Sequence, residues 1–231
     1  MTTSWRDVWA RRRLDPTRGS VLAQLLAADG FDSGAGGVDE AAWRHFIGGV
    51  AETLELREDE SVFDVGCGAG AFTYPLQQAG CRVGGIDQSE ALIAAARQVM
   101  PEGHWLVGDA ASLDPAEPAD VVVACGSFLY FPDHEYARGV LARMTSKATR
   151  AVAILDVPDV DFREEALQLR RGTLGADEYE ARYRGLDHLY FDRLWFLRML
   201  DQMGASAIQI GQQRVEGYRM GEYRFNVFAR V

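Results

Sequence analysis

Three glycines at alternate positions follow an apolar segment of the chain. Residues 61–65 lead into Gly66, Gly68 and Gly70, and a helical pattern follows them. Gly66 permits a tight turn, Gly68 lets a ligand approach the backbone without a Cβ in the way, and the following helix offers unpaired N–H groups. The spacing predicts a strand, a loop and a helix that bind a nucleoside.

Two kinds of nucleoside ligand fit this loop. Gly66, Gly68 and Ala71 satisfy the G-x-G-x-x-A fingerprint of dinucleotide sites, in which a pyrophosphate lies at the helix N-terminus. Asp64 stands just before the first glycine, and its negative charge does not suit a pyrophosphate. The same charge suits the ammonium and sulfonium groups of S-adenosylmethionine (SAM), so Asp64 favours SAM over NAD(P).

Acidic and small residues also end the next predicted strands. Asp87 and Gln88 follow the second strand, Asp109 and Ala110 follow the third, and Cys125-Gly126-Ser127 ends the fourth. In open α/β sheets, ligands bind at the carboxyl ends of the strands, and an acidic residue roughly 20 positions past the glycine loop binds ribose hydroxyls. Asp87 lies in that window.

In order and spacing, these four segments resemble the cofactor motifs of class I SAM-dependent methyltransferases. The resemblance covers about residues 50–157 and the two strands predicted at the end of the chain. It implies that Asp87 binds the ribose, that Asp109 binds the adenine amine, and that the fourth strand ends beneath the methionine. The implied cofactor-binding residues are Asp64, Gly66, Cys67, Gly68, Gly70, Asp87, Gln88, Asp109, Ala110, Cys125 and Gly126, with Trp9 as a candidate for a cation–π contact. The implied cofactor is SAM, and methyl transfer would release S-adenosylhomocysteine (SAH).

The elements that must position these residues alternate along the chain. Short apolar strands are predicted at residues 61–65, 81–86, 104–107, 120–125 and 151–155, with helices at 71–79, 90–99 and 135–145. This alternation is typical of a parallel sheet covered on both faces. Two further strands, at 207–210 and 224–231, have no helix between them and are predicted to be antiparallel. The predicted fold class is α/β: a doubly wound, Rossmann-like, seven-stranded sheet, mostly parallel with an antiparallel C-terminal hairpin, plus an N-terminal helical cap.

The same pattern predicts four parts of the chain. Residues 1–50 form the N-terminal helical cap, and residues 51–157 form the SAM-binding core. Residues 158–191 are charged and aromatic and break the alternation, so we expect them to form a helical and aromatic insertion over the active site. Residues 192–231 supply a C-terminal helix and the antiparallel hairpin that completes the core.

Candidates for catalysis and acceptor binding follow the fourth strand or lie in the insertion. The candidate catalytic residues are His134, Tyr183, His188 and Tyr190, and the candidate acceptor-binding residues are Ser127, Tyr130, Arg170 and Arg171. Histidine is the natural base near neutral pH, although a surface or packing role fits either histidine equally well. The arginines form either an anion clamp for a carboxylate or phosphate on the acceptor or a solvated helix face balanced by nearby glutamates.

Composition narrows the range of functions. The 231 residues include 34 acidic and 24 basic ones, and the net charge of -10 makes a nucleic-acid partner unexpected. The 3 cysteines include no CxxC pair, and no metal-ligand cluster is visible, so neither a disulfide framework nor a metal site is expected. With no secretory signal and no apolar run long enough for a membrane span, we expect a soluble, cytoplasmic protein. Its oligomeric state stays open.

The resemblance implies transfer of a methyl group from SAM to a small-molecule acceptor in secondary or amino-acid-like metabolism. Two alternatives keep the same cofactor motifs. The chain could transfer the aminocarboxypropyl arm of SAM or cyclise it, which releases methylthioadenosine, or it could be a SAM-binding partner protein without catalysis. The coproduct distinguishes methylation from the other SAM chemistry.

Overall fold

The computed structural model describes residues 4–32 and 34–231. The strands of its central sheet are β1 Ser61–Val65, β2 Arg82–Asp87, β3 His104–Val107, β4 Ala119–Cys125, β5 Ala148–Pro158, β6 Ser206–Gln212 and β7 Arg224–Arg230. Their order is β3-β2-β1-β4-β5-β7-β6. Neighbours from β3 to β5 pair in parallel, and β7 lies antiparallel between β5 and β6. The predicted sheet, mostly parallel with an antiparallel C-terminal hairpin, is confirmed.

Helices cover both faces of the sheet. They are α1 Trp5–Trp9, α2 Val21–Ala28, α3 Glu40–Thr53, α4 Thr73–Gln78, α5 Glu90–Val99, α6 His134–Lys147, α7 Arg163–Leu174, α8 Ala176–Tyr183 and α9 Arg193–Gln202. Asp39, Ser89 and Asp133 stand just before α3, α5 and α6, and each side chain accepts a hydrogen bond from a backbone N–H of the first turn. These N-caps explain where the three helices begin. No helix of the described residues is long and apolar enough to cross a membrane.

Two apolar cores lie on the two faces of the sheet. In β4, Val121 and Val123 belong to the core that contains α3 and α5, whereas Val122 and Ala124 belong to the core that contains α6 and α9. All four side chains are 0% exposed, which is why β4 is apolar at successive positions. The strand order reverses between β1 and β4, and at such a switch point a crevice opens at the carboxyl ends of the strands.

The N-terminal cap shares the first of these cores. Leu22 and Leu25 of α2 pack with Ile47 of α3 and with the sheet. α1, in contrast, buries none of its residues. Residues 40–50 of the predicted cap therefore continue into the body of the fold through α3, and α1 is the part of the cap that stands outside the core.

The glycine loop delays the start of α4. The helix begins at Thr73, whereas the sequence pattern predicted residue 71. Gly66, Gly68 and Gly70 have φ angles of 79°, 54° and 93°, which lie in the left-handed region. Since glycine adopts these angles at little cost, the loop can turn its amides toward the carboxyl edge of the sheet before the helix starts.

β5 extends beyond its predicted end at residue 155 and reaches Pro158. Its pairing with β7 becomes irregular between Ile154 and Val157. Asp156, inside this irregularity, has a φ angle of 59°, which is uncommon for a residue other than glycine. Irregularities of this kind re-aim side chains next to functional sites.

The indole of Trp43 ties α3 to the residues that follow the glycine loop. Its Nε1 donates to the carbonyl oxygen of Ala71 at 2.8 Å, and the side chain is 2% exposed. Trp43→Phe keeps most of the buried ring but leaves that carbonyl without its donor. We therefore expect the free energy of unfolding, measured by urea denaturation, to fall by about 1–3 kcal/mol. Trp195→Phe, on half-buried Trp195 of α9, is the control; an equal loss in both variants would contradict the role of the hydrogen bond.

Candidate functional site

A cavity of about 430 Å³ opens at the carboxyl edge of the sheet. Residues at or just past the ends of β1, β2, β4 and β5 form its floor, among them Asp64, Asp87, Cys125 and Asp156. α1 and the turn after α2 line one side, and residues of α7 and α8 line another. The predicted cap and the predicted insertion therefore both contribute to the walls of the cavity.

Close contacts explain the glycines of the loop. A Cβ on Gly66 would lie 2.5 Å from the Cβ of Ser127, which follows β4, and a Cβ on Gly68 would lie 2.2 Å from Oδ1 of Asp29. A Cβ on Gly70 would meet a buried methionine at 2.4 Å, away from the residues that line the cavity. We expected the space beside Gly68 to admit a ligand, but the side chain of Asp29 occupies it.

Asp29, which no sequence pattern indicated, holds the glycine loop. Its Oδ1 accepts a hydrogen bond from Ala69 N at 2.6 Å, and its Oδ2 accepts one from Ala71 N at 2.9 Å. Burial, together with the negative charge of Asp87, raises the pKa of Asp29 to about 7. Asp29 is the C-cap residue of α2, where the helix dipole disfavours a negative charge. That unfavourable placement is the signal in the sequence that could have indicated it.

Asp64 and Asp87 lie on the floor of the same cavity. Asp64 is 1% exposed, and its Oδ1 has no hydrogen-bond partner among the described residues. Burial, and then the charges of Asp29 and Asp87, raise the pKa of Asp64 well above its usual range. Asp87 accepts hydrogen bonds from Gly68 N at 3.0 Å and Ser89 N at 2.8 Å, and burial raises its pKa as well. Three neighbouring carboxyl groups with raised pKa values form a site that suits a cation.

The other predicted cofactor residues, apart from Gly70, also line this cavity. They are Trp9, Cys67, Gln88, Asp109, Ala110, Cys125 and Gly126. Asp109 accepts a hydrogen bond from the Tyr136 hydroxyl and another from Ala111 N, the latter at 2.9 Å. Burial raises the pKa of the Cys67 thiol well above its usual range. Cys67 therefore packs as a small apolar residue and is not a nucleophile.

Aromatic rings from three parts of the chain form the outer wall. The ring centroid of Trp5 lies 4.8 Å from that of Tyr130 and 5.1 Å from that of His188. Trp5 Nε1 also donates to the carbonyl oxygen of Asp187 at 3.0 Å. α1 thus contacts both the turn after β4 and the segment after α8. The predicted acceptor and catalytic residues that line the cavity are Ser127, Tyr130, Arg170, Tyr183 and His188.

Two predicted catalytic residues lie away from the cavity. His134 begins α6 with an exposed side chain, and its Nε2 is 3.1 Å from the carbonyl oxygen of Tyr190. The Tyr190 ring packs against the guanidinium of Arg163 at 5.6 Å. Neither side chain is among those that line the cavity.

The two adjacent arginines of α7 have different surroundings in the structure. Arg170 lines the cavity, with its guanidinium 5.3 Å from the ring of Tyr183. Arg171 is exposed and pairs with Glu180 at 3.4 Å. Because adjacent helical residues point about 100° apart, the two could not both face the same site. Arg171 therefore lies on the solvent-exposed face of α7, and Arg170 is the one of the two that borders the cavity.

His188, for which a base and a packing role were both open, lies against an arginine. Arg170 Nη1 lies 3.1 Å from His188 Nδ1. Since a guanidinium only donates, Nδ1 accepts this hydrogen bond and Nε2 carries the proton of the neutral ring. Burial and the charges of Arg170 and Arg224 hold the pKa of His188 well below its usual value. His188 is therefore a hydrogen-bond donor near neutral pH.

A buried carboxylate at the end of β5 was also missed. Asp156 is 4% exposed, and its Oδ2 accepts hydrogen bonds from the Tyr218 hydroxyl at 3.0 Å and from Arg224 Nη1 at 3.3 Å. Its Oδ1 has no hydrogen-bond partner among the described residues. All three residues line the cavity. The only signal in the sequence is an acid at the end of a strand, since its partners come from the far end of the chain.

Comparison with known proteins identifies the domain that carries the glycine loop. Residues 62–151 match the family model described as a methyltransferase domain. By this match, these residues form a methyltransferase domain. The methyltransferase domain accounts for most of the sheet and for the loop motifs, whereas the cap and the α7–α8 segment lie outside the matched residues.

Several curated relatives of the chain carry the same name. The chain is 34% identical over 148 residues to trans-aconitate 2-methyltransferase of Klebsiella pneumoniae (strain 342), which covers 63% of this chain and 56% of the relative. It is 39% identical over 119 residues to the protein of that name from Delftia acidovorans, covering 49% of this chain and 42% of the relative. The chain spans about half the length of the curated relatives it matches.

Solved methyltransferase structures share the fold. Magnesium protoporphyrin IX methyltransferase from Synechocystis PCC 6803 with bound SAM has a TM-score of 0.62 at 19% identity, covering 87% of this chain and 86% of that chain. A SAM-bound amino pentose methyltransferase from Micromonospora echinaspora has a TM-score of 0.63 at 13% identity, covering 85% and 93%. At these identities the likeness shows the fold alone.

The protonation of His188 can be tested directly. We expect the ring to stay neutral with its proton on Nε2 at about pH 6, where an unperturbed histidine is mostly charged, because a second positive charge beside Arg170 is unfavourable. Long-range nitrogen–proton NMR correlations measure both properties, with the exposed His45 as the internal reference. A charged ring at that pH, or a proton on Nδ1, would contradict the assignment.

Proposed function

We propose that this chain binds SAM in the cavity and transfers its methyl group to a small-molecule acceptor, releasing SAH. The observation that carries the proposal is the buried carboxylate of Asp64, whose Oδ1 lacks a hydrogen-bond partner among the described residues and which lines the cavity beside the glycine loop. A buried polar atom without a hydrogen-bond partner costs free energy unless a ligand supplies the missing interaction. The ammonium and sulfonium groups of SAM supply the missing positive charge.

The remaining cofactor contacts follow from the motif residues. Asp87 accepts two backbone hydrogen bonds, and a carboxylate has lone pairs left for the ribose hydroxyls. Asp109 and Ala110 follow β3 and border the cavity where the adenine would lie. The indole Nε1 of Trp9 is buried without a partner among the described residues, and Trp9 lines the cavity. It is a donor available to the cofactor.

The chain itself contributes position and shielding. SAM supplies a methyl group on an activated sulfonium leaving group. The floor carboxylates orient the cofactor, which makes the transfer effectively unimolecular once the acceptor is bound. Trp5 of α1 also lies near Tyr183 of α8, with 6.1 Å between the ring centroids. Its contacts with Tyr130 and His188 then exclude water from the acceptor side.

We infer that the acceptor carries a carboxylate. Arg170 lines the cavity, and its hydrogen bond to His188 leaves the rest of its N–H donors for a ligand. Arginine binds carboxylates in bidentate geometry, and the Nε2–H of His188 adds a further donor. A carboxylate is ionised at neutral pH and needs no base to accept a methyl group, which agrees with the lowered pKa of His188. Trans-aconitate, which appears in the name of the curated relatives, is an acceptor that carries carboxylates.

A cytoplasmic location and the lack of a nucleic-acid partner are parts of the same proposal. Both rest on composition, because the net charge of -10 repels phosphate backbones and the sequence contains no apolar run long enough for a span. Neither bears on the chemistry of the cavity.

Replacement of Asp87 tests the cofactor site. Asp87→Ala removes the acceptor for the ribose hydroxyls, so we expect SAM binding to weaken by about 2 kcal/mol or more, measured by isothermal titration calorimetry. Asp114→Ala, which alters an exposed acid outside the cavity, should bind as the native protein does. Unchanged SAM affinity in Asp87→Ala, or tight saturable binding of NADH to the native protein, would contradict the assignment of the cavity to SAM.

The acceptor site is tested with a panel of small carboxylic acids that begins with trans-aconitate. We expect the native protein to form SAH rather than methylthioadenosine with at least one of them. Arg170→Gln should raise the KM for that acid by about tenfold or more and leave SAM affinity unchanged, because it removes a charge-assisted contact. Arg171→Gln is the matched control on the exposed side of α7. Release of methylthioadenosine, or equal KM values in both variants, would reject this acceptor model.

A further inference from the structure

Asp29 belongs to the N-terminal cap, outside the methyltransferase domain at residues 62–151, yet it lines the same cavity as the glycine loop. Each of its two oxygens accepts a backbone hydrogen bond, from Ala69 and from Ala71. The contact spans 40 or more positions of the chain. A single side chain therefore connects the cap to the loop that faces the cofactor.

The carboxylate of Asp29 has capacity for more than these two bonds. An ionised carboxylate offers about four lone-pair sites, so roughly two are left after the amides of Ala69 and Ala71. Asp29 lines the cavity, as does Asp64, whose Oδ1 is buried without a partner among the described residues. The two residues lie close enough for the charge of Asp29 to raise the pKa of Asp64. A donor that carries positive charge would satisfy both carboxylates.

We propose that Asp29 is a cofactor-binding residue, which accepts a hydrogen bond from the α-ammonium group of SAM while it holds the glycine loop. This inference rests on the proposed function, since it assigns a second role within the same SAM site. An ammonium group has three N–H donors. It can therefore bridge Asp29 and Asp64, two acids that otherwise repel each other.

The same contact extends cofactor binding to the cap. Gly30 follows Asp29 with a φ angle of 89°, and a Cβ on Gly30 would lie 2.9 Å from the ring of Trp9. The Trp9 carbonyl in turn accepts a hydrogen bond from Ser89 Oγ at 3.3 Å. The turn at Asp29 and Gly30, which directs the Asp29 side chain into the cavity, therefore also packs against the end of α1.

The affinities of three ligands separate recognition of the ammonium group from maintenance of the loop. SAM and SAH both carry the α-ammonium group, whereas methylthioadenosine carries the same nucleoside without it. For Asp29→Asn we expect the affinity of SAM relative to methylthioadenosine to fall about tenfold or more, with a similar fall for SAH. Calorimetry gives the three affinities. Asp32→Asn is the matched control, because Asp32 lies in the same cap but pairs with Arg12 and Arg18.

Each outcome decides a separate question. If SAM, SAH and methylthioadenosine weaken equally in Asp29→Asn, the residue only supports the loop and the inference is overturned. The same holds if none of the affinities changes. If the native protein binds none of the three, it is the proposed function that fails. Asp29→Ser serves as the second variant if Asp29→Asn does not fold, which circular dichroism shows. Its SAM to methylthioadenosine ratio must fall in the same way.

Discussion

Carboxylates can be buried close together only if something offsets their mutual repulsion and lost hydration, and this constraint organises the molecule around its cavity. The parallel sheet brings Asp64 and Asp87 to one edge, and the cap adds Asp29. The glycine loop offsets part of the cost, since its amides donate to Asp29 and Asp87. Its left-handed glycines let those amides turn inward. The charge that remains unbalanced is what a cationic cofactor would neutralise.

The fold and the meeting of Asp64 and Asp87 at one cavity could be predicted because their signals are local. Asp64 and Asp87 each end an apolar strand, and parallel strands place their ends together whatever the details of packing. Asp29 and Asp156 could not be predicted in this way. Asp29 acts on amides far along the chain, and Asp156 depends on an irregularity in β5 and on Arg224 near the other end. Such contacts exist only after tertiary packing.

The acceptor side was harder for a different reason. Arg170 and Arg171 are neighbours of the same type, and only the orientation of α7 shows which one faces the cavity. Residue type also left the role of His188 open, since the hydrogen bonds of a histidine ring depend on its partner. With Arg170 as the donor to Nδ1, the same ring becomes a donor itself. The properties of these side chains depend on the residues they pair with. When the two partners come from separate elements, no regular spacing in the sequence indicates the pair.

α1 has only five residues and buries none of them, so it cannot be stable as an isolated helix. Its position depends on Trp5, which contacts Tyr130, His188 and the carbonyl oxygen of Asp187 across the mouth of the cavity. Those contacts can break while both cores stay intact, so opening the cavity requires no unfolding of the sheet. The time that a ligand stays in the cavity then depends in part on how long those contacts last. Substitution of Trp5 would change that time while the floor of the cavity stays intact.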